Sequence, residues 1–140
     1  MRILGLDLGS KTLGIASSDT LQMVANKVET LRFDTNDFKS ALNQLNELID
    51  WDLYEKVVLG LPKNMNGSLG QQAQDTIVFK DMLVESIGKE VVLWDERLTS
   101  RMATSAMLSA NLSRKKRKKR IDYIAATIIL QSYLDSRKRG

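Results

Sequence analysis

Cysteine and histidine are both missing from the 140 residues. Without cysteine there is no disulfide framework, no zinc–thiolate centre and no thiol nucleophile, and nothing points to an oxidising compartment. Without histidine there is no Ser-His or Cys-His nucleophile pair and no imidazole acid-base catalysis, and most transition-metal sites lose their usual ligand. Carboxylates, lysines, hydroxyls and oxygen-bound hard cations remain, so an enzyme made from this chain is expected to use carboxylate chemistry. Long apolar runs are missing too. No segment approaches the length of a membrane span, and no basic stretch followed by an apolar one opens the chain as a signal peptide would. The expectation is a soluble, intracellular protein with no membrane partner.

What is present suffices for a core. With 43% hydrophobic content, residues 1–140 are expected to form one domain without metal or disulfide staples. The formal charge of +4 hides an asymmetry. Residues 1–110 hold 11 basic and 15 acidic side chains, a balance of −4, whereas 111–140 hold 10 and 2, a balance of +8. Positive charge is concentrated at one end.

The stretch from Ile3 to Ala16, ILGLDLGSKTLGIA, sets a carboxylate where a buried strand would carry a hydrophobe. Leu4, Leu6 and Leu8 share one side of an extended chain, and Ile3, Gly5 and Asp7 the other. Gly5 removes bulk beside Asp7, while Gly9 and Gly14 let the chain turn back, so another group could approach the carboxylate. The plainer reading is a turn-initiating aspartate in a hairpin. Lys11 and Thr12 suggest a phosphate loop, but that motif needs glycine immediately before the lysine, and Ser10 stands there. Alternation on both sides of the turn fits two antiparallel strands better than a strand followed by a helix.

Residues 23–31 read as a third strand of an opening meander. From Phe38, apolar residues recur at helical spacing through Ala41, Leu42, Leu45, Leu48 and Ile49, behind Asp34, Asn36 and Asp37, which suit a cap and first turn. Residues 56–61, KVVLGL, end at the only proline, Pro62, as a strand buried on both faces would. The polar KNMNGSLG that follows is either a binding loop or a plain surface connection. A second helix is expected over 69–87 with Ala73, Ile77, Leu83, Val84 and Ile87 inward and Gly88 as its stop. A fifth strand follows at 90–94, and then DERLTS, which puts Glu96 just past a buried strand beside Asp95 and Arg97. Thr99 or Ser100 would cap a further helix. An acid at a strand end is often only a solvated terminus.

Residues 114–120 are seven consecutive cations: Arg114, Lys115, Lys116, Arg117, Lys118, Lys119 and Arg120. Such a run repels itself and is expected to be a mobile loop or a fraying helix start unless an anion neutralises it. Runs of this kind also occur as solvated charged faces and as targeting signals. This one leads into IDYIAATIILQSYLD, where Ile121, Ile124, Ala125, Ile128 and Ile129 make a broad apolar helix face with Asp122 on its edge. Small Ala125 and Ala126 would let that helix lie close to a sheet. An aspartate at a helix start is also explained by the helix dipole alone.

Asp7, Glu96 and Asp122 thus share a description, each an acid at the end of an element beside an apolar interior. Brought together without a cation they would repel and raise one another's pKa; Mg2+, or Mn2+ in its place, is the natural bridging ion. Two such ions roughly 4 Å apart can activate water and stabilise the leaving oxygen in phosphodiester hydrolysis without histidine. The basic run would grip the phosphates of such a substrate, with Lys11 and Arg97 as further candidate nucleic-acid contacts.

DLGSKTLGIA, GLPKNMNGSLG, WDERLTS and RIDYIAATIILQSYLD, in this order, resemble the YqgF/RuvX family of Holliday-junction-resolvase-like and pre-16S ribosomal RNA nucleases. The resemblance covers nearly the whole chain. It implies an RNase H-like α/β fold, a mixed five-stranded sheet with an antiparallel meander followed by parallel strands, flanked by helices. It also implies a cytoplasmic role in processing the 5' end of the ribosomal RNA precursor, and assigns Asp7, Glu96 and Asp122 as catalytic, metal-binding acids. The family pattern usually carries a basic residue where this chain has Thr12. The leading reading is a Mg2+-dependent nuclease, monomer or weak homodimer, acting on pre-16S rRNA or on branched DNA. A non-catalytic nucleic-acid-binding module is the runner-up. A sugar-kinase or chaperone-type ATPase is disfavoured, because those bind nucleotide between two copies of such a fold.

Overall fold

The computed structural model describes residues 1–64, 66–96 and 114–138, with side chains described at 1–64, 66–96 and 125–137. Strands β1 (Arg2–Leu8), β2 (Thr12–Ser18) and β3 (Ala25–Arg32) are followed by helix α1 (Phe38–Leu48) and a 3-10 turn at Trp51–Leu53. Strand β4 (Tyr54–Leu61), helix α2 (Gln71–Ile87), strand β5 (Glu90–Asp95) and helix α3 (Arg114–Lys138) complete the order. The sheet runs β3-β2-β1-β4-β5, antiparallel between β1, β2 and β3 and parallel between β1, β4 and β5. This is the mixed five-stranded architecture expected from the sequence. The helix anticipated after Thr99 or Ser100 lies outside the described residues.

Side-chain alternation divides the interior into two cores. Leu4, Leu6 and Leu8 join Leu13, Ile15, Val57 and Leu59 beneath α1 and α2, where Leu45, Phe79 and Leu83 meet them. Ile3, Ala16 and Val58 face the other way and are covered by Ala126, Ile129, Leu130 and Leu134 of α3. Helix α3 crosses β1, β2 and β3 on this second face. The approach is close: a Cβ at Gly5 would stand 2.7 Å from Leu130 Cβ and 3.1 Å from the Ala126 carbonyl oxygen. Glycine here admits the helix backbone itself, a stronger requirement than the loss of bulk read from the sequence.

Helix boundaries follow the local chemistry. Asp37 caps α1 by accepting from Ser40 N–H at 3.2 Å. Gly88 ends α2 in the left-handed region at φ 65°. Some inward positions differ from expectation. Leu48 is 45% exposed and Val84 38% exposed, whereas Thr76 and Phe79 are buried. The Phe79 ring meets Phe38 edge-on at 6.3 Å, and the Thr76 hydroxyl donates to the Gln72 carbonyl at 2.8 Å, so a nominally polar residue enters the core satisfied.

The buried stripe of α3 keeps Ile129 of the expected face and the close approach expected of Ala126, but turns away from Ala125 and Ile128. Ala126, Ile129, Leu130, Tyr133 and Leu134 are buried, while Ala125 and Ile128 are only half-buried. Gly5 selects this phase by making room for the carbonyl of Ala126. The basic run 114–120 forms the first turns of α3, the helix-start alternative of the two read from the sequence. Among the described residues no helix is long and apolar enough to cross a membrane.

Candidate functional site

Parallel strands place their C-terminal ends together, and at this end of β1, β4 and β5 the chain sets two acids. Asp7 is the next-to-last residue of β1, paired across the antiparallel ladder with Gly14. Alternation puts it on the α3 side of the sheet with Ile3 and Gly5. Glu96 lies one residue past β5, and its N–H donates to the Leu61 carbonyl at 3.1 Å. That bond carries the ladder one residue beyond the strand and fixes the Glu96 backbone.

The two carboxyls meet. They share a hydrogen bond in which the protonated Glu96 donates to Asp7, and the Glu96 carboxyl is pushed up to about 10. Burial is the main cause, followed by the negative charge of Asp7, the hydrogen bond with Asp7 and the charge of Asp95. At neutral pH Glu96 therefore holds a proton in the folded chain that it releases on unfolding. The raised pKa favours the folded state fully below the ordinary value of 4.5, and this advantage is lost as pH rises toward about 10. Chemical denaturation of the metal-free protein at pH 5, 7 and 9 is expected to show stability falling by up to about 1.4 kcal/mol per pH unit. A profile flat across that interval would contradict the buried proton.

Neighbouring loops stiffen the mouth of the site. Gly9 N–H donates to the Thr12 carbonyl at 2.7 Å, closing the β1–β2 turn, while the N–H groups of Phe33 and Asn36 donate to the carbonyls of Lys11 and Ser10. Lys11 is thus held by its backbone at the exposed turn between β1 and β2. The Gln72 side chain donates to the Leu8 carbonyl at 2.8 Å, tying the first turn of α2 to the residue after Asp7. No local pattern marks Gln72, because its partner is far away in sequence. The candidate binding loop after β4 is a compact turn in which Asn64 bonds Ser68 through backbone and side chain, and Asn66 accepts from Ser68.

Asp7 and Glu96 are therefore brought together as their strand-end positions suggested. Arg97 and the side chains of Asp122 and of Arg114, Lys115, Lys116, Arg117, Lys118, Lys119 and Arg120 lie outside the described residues. Among the described residues no group of three or more aspartate, glutamate, histidine or cysteine side chains is placed to hold a metal ion. The Asp7–Glu96 pair is oxygen-only and crowded enough to force a proton onto one member, which suits displacement of that proton by a hard divalent cation.

Comparison with known proteins agrees with this architecture. A solved structure of Thermus thermophilus RuvC superposes with a TM-score of 0.60 at 11% identity, covering 99% of this chain and 96% of that one. The fowlpox virus Holliday junction resolvase gives 0.56 at 17% identity, covering 97% and 99%. At such identities the likeness establishes the fold, that of the RuvC-like RNase H group. Sequence relatives are nearer. A protein of Listeria monocytogenes serotype 4b (strain CLIP80459) is 49% identical over 136 residues, spanning 97% of this chain and 99% of the relative. One from Bacillus licheniformis is 50% identical over 136 residues, spanning 97% and 98%. Both are named "Putative pre-16S rRNA nuclease". The family model RuvX, described as Holliday junction resolvase, matches residues 1–136. With its acids at the strand ends of this sheet and that match along almost its whole length, the chain belongs to the RuvX family.

Proposed function

We propose that this protein is a metal-dependent nuclease that hydrolyses phosphodiester bonds at the 5' end of precursor 16S ribosomal RNA in the cytoplasm. The observation that carries the reading is the Asp7–Glu96 pair, two carboxyls forced together at the C-terminal ends of parallel strands. Burying two acids against each other is costly, and such clusters are kept where chemistry needs them. The names of the relatives support the ribosomal substrate, and the all-oxygen donor set favours Mg2+ or Mn2+ over softer metals.

Asp7 and Glu96 would hold the cation with Asp122 as the third acid. Asp122 precedes Ala126 by four residues and Ile129 by seven, the spacing at which helix positions repeat on one face, and both of those residues are buried against the sheet. A divalent cation bound there would polarise the phosphate and balance charge on the departing oxygen. The protein's own groups orient the substrate. Lys11 in the β1–β2 turn, Arg97 next to Glu96 in the chain and the cations of 114–120 would hold the phosphate backbone.

Cleavage of a labelled 16S precursor leader, with and without Mg2+ or Mn2+, tests the reading. Trimming at the leader that stops on chelation is the expected result. A four-way DNA junction in parallel reactions separates the ribosomal substrate from the branched DNA bound by the RuvC structural neighbour. Binding of either without cleavage would instead favour a non-catalytic module.

A further inference from the structure

Asp7 and Glu96 belong to strands that are not neighbours. Strand β4 lies between β1 and β5, so the strands carrying the two acids are separated by two inter-strand spacings, on the order of 10 Å. For the carboxyls to share a hydrogen bond, one must reach over β4. The register shows where this happens. Leu59 pairs with Leu6 on one side, and Gly60 pairs with Trp94 on the other, so Gly60 lies level with the acids on the α3 face. A Cβ placed on Gly60 would stand 2.6 Å from Glu96 Oε1 and 2.8 Å from Glu96 Cδ, closer than such atoms pack. Ile129 Cδ1 would also be 2.6 Å away. The carboxyl of Glu96 therefore rests on the bare backbone of β4, walled by Ile129.

We infer that Gly60 is a positioning residue of the nuclease site: its missing side chain is the gap through which Glu96 crosses β4 to reach Asp7, so any larger residue separates the two acids. This rests on the reading of Asp7 and Glu96 as the cation-holding pair. Glycine inside a strand otherwise weakens it, and the backbone here has no positive φ that would require glycine, so steric access for the carboxylate is the reason for its presence. The second clash, with Ile129, offers a way to separate packing from function.

The test compares Gly60→Ala with Gly60→Ala/Ile129→Val, using Ile129→Val as the control. Valine removes Cδ1 and relieves the helix contact, but leaves the carboxyl clash intact. The double variant is expected to regain most of the thermal stability lost by the single one. Its kcat should nonetheless stay about 100-fold low, the scale of loss from misplacing a reacting group by an ångström, with KM for nucleic acid within about twofold of wild type. Mn2+ affinity, read by calorimetry without substrate, should fall by about 10–100-fold. A crystal structure of the double variant should show Glu96 turned away from Asp7. Wild-type Mn2+ affinity and kcat in that variant, or an intact Asp7–Glu96 hydrogen bond in its crystal structure, would overturn the inference and leave Gly60 a packing residue for α3. If wild-type protein neither binds Mn2+ nor cleaves, yet the variant separates the acids, the nuclease reading fails while the steric role of Gly60 stands.

Discussion

Asp7→Asn is expected to reduce metal-dependent cleavage by well over the roughly 10–100-fold that accompanies loss of an outer-shell partner, because the substitution removes charge at the cation itself. The side chain keeps its shape, so the β1–β2 ladder and the packing of Gly5 on α3 are expected to survive. Two of the causes that raise Glu96 are the charge of Asp7 and the hydrogen bond with it. With asparagine in place, the charge is gone and an amide N–H can donate to ionised Glu96, so the Glu96 pKa should fall toward the ordinary carboxylate range, with burial still holding it up. The metal-free variant should therefore lose less stability between pH 5 and pH 9 than the wild type. Three measurements check this: single-turnover cleavage, nucleic-acid affinity, and denaturation across that pH interval. Loss of cleavage with affinity retained places Asp7 in the chemistry, whereas undiminished cleavage would move the active site elsewhere.

The divalent cation should produce a matching stabilisation. A ligand that binds only the folded chain adds about 2.7 kcal/mol at a hundredfold excess over its dissociation constant. At neutral pH part of that gain is offset by expelling the proton from Glu96, so the shift should grow as pH rises. This coupling follows from a carboxyl crowded against a second acid.

Much of this was legible in the sequence because the signals were local. Alternation through Ile3, Leu4, Gly5, Leu6 and Asp7 assigned each residue to its observed face. Asp37 and Gly88 marked helix ends through capping chemistry that depends only on near neighbours. The positions of Asp7 and Glu96 at strand ends were readable for the same reason. The route by which they meet, over β4, was not, because it depends on strand order and on a glycine inside KVVLGL that reads as one more buried position. The phase of α3 was readable only in part, for a different reason. In IAATIIL nearly every position is apolar, so periodicity alone does not choose a face; the sheet does, by admitting the Ala126 carbonyl at Gly5. Thr76 and Gln72 illustrate the same limit, since a hydroxyl satisfied within its own helix and an amide bonded to Leu8 leave no pattern to find.

Replacing Lys115, Lys116, Lys118 and Lys119 with glutamine is expected to have the largest effect on substrate affinity. Arg114 to Arg120 form the opening of the helix that covers the Asp7 face of the sheet, and no acidic residue lies in its first turn. Seven cations in succession repel one another, and a polyanion relieves that repulsion by releasing its own counterions into solution. If about four of these side chains neutralise phosphates, the log–log dependence of affinity on salt should have a slope near −3 on single strands, at roughly 0.7 per contact. Removing four contacts should then flatten the slope and weaken binding on the order of 100-fold at physiological salt. The loss should be similar for all sequences, because lysine contacts with phosphate carry no base information. Cleavage at saturating substrate should change less than affinity, since the acids are untouched. Binding isotherms at several salt concentrations on two unrelated RNA sequences give the measurement. An unchanged slope in the quadruple variant would make the basic run a solvated helix start, whereas a loss confined to one sequence would mean that these side chains read bases.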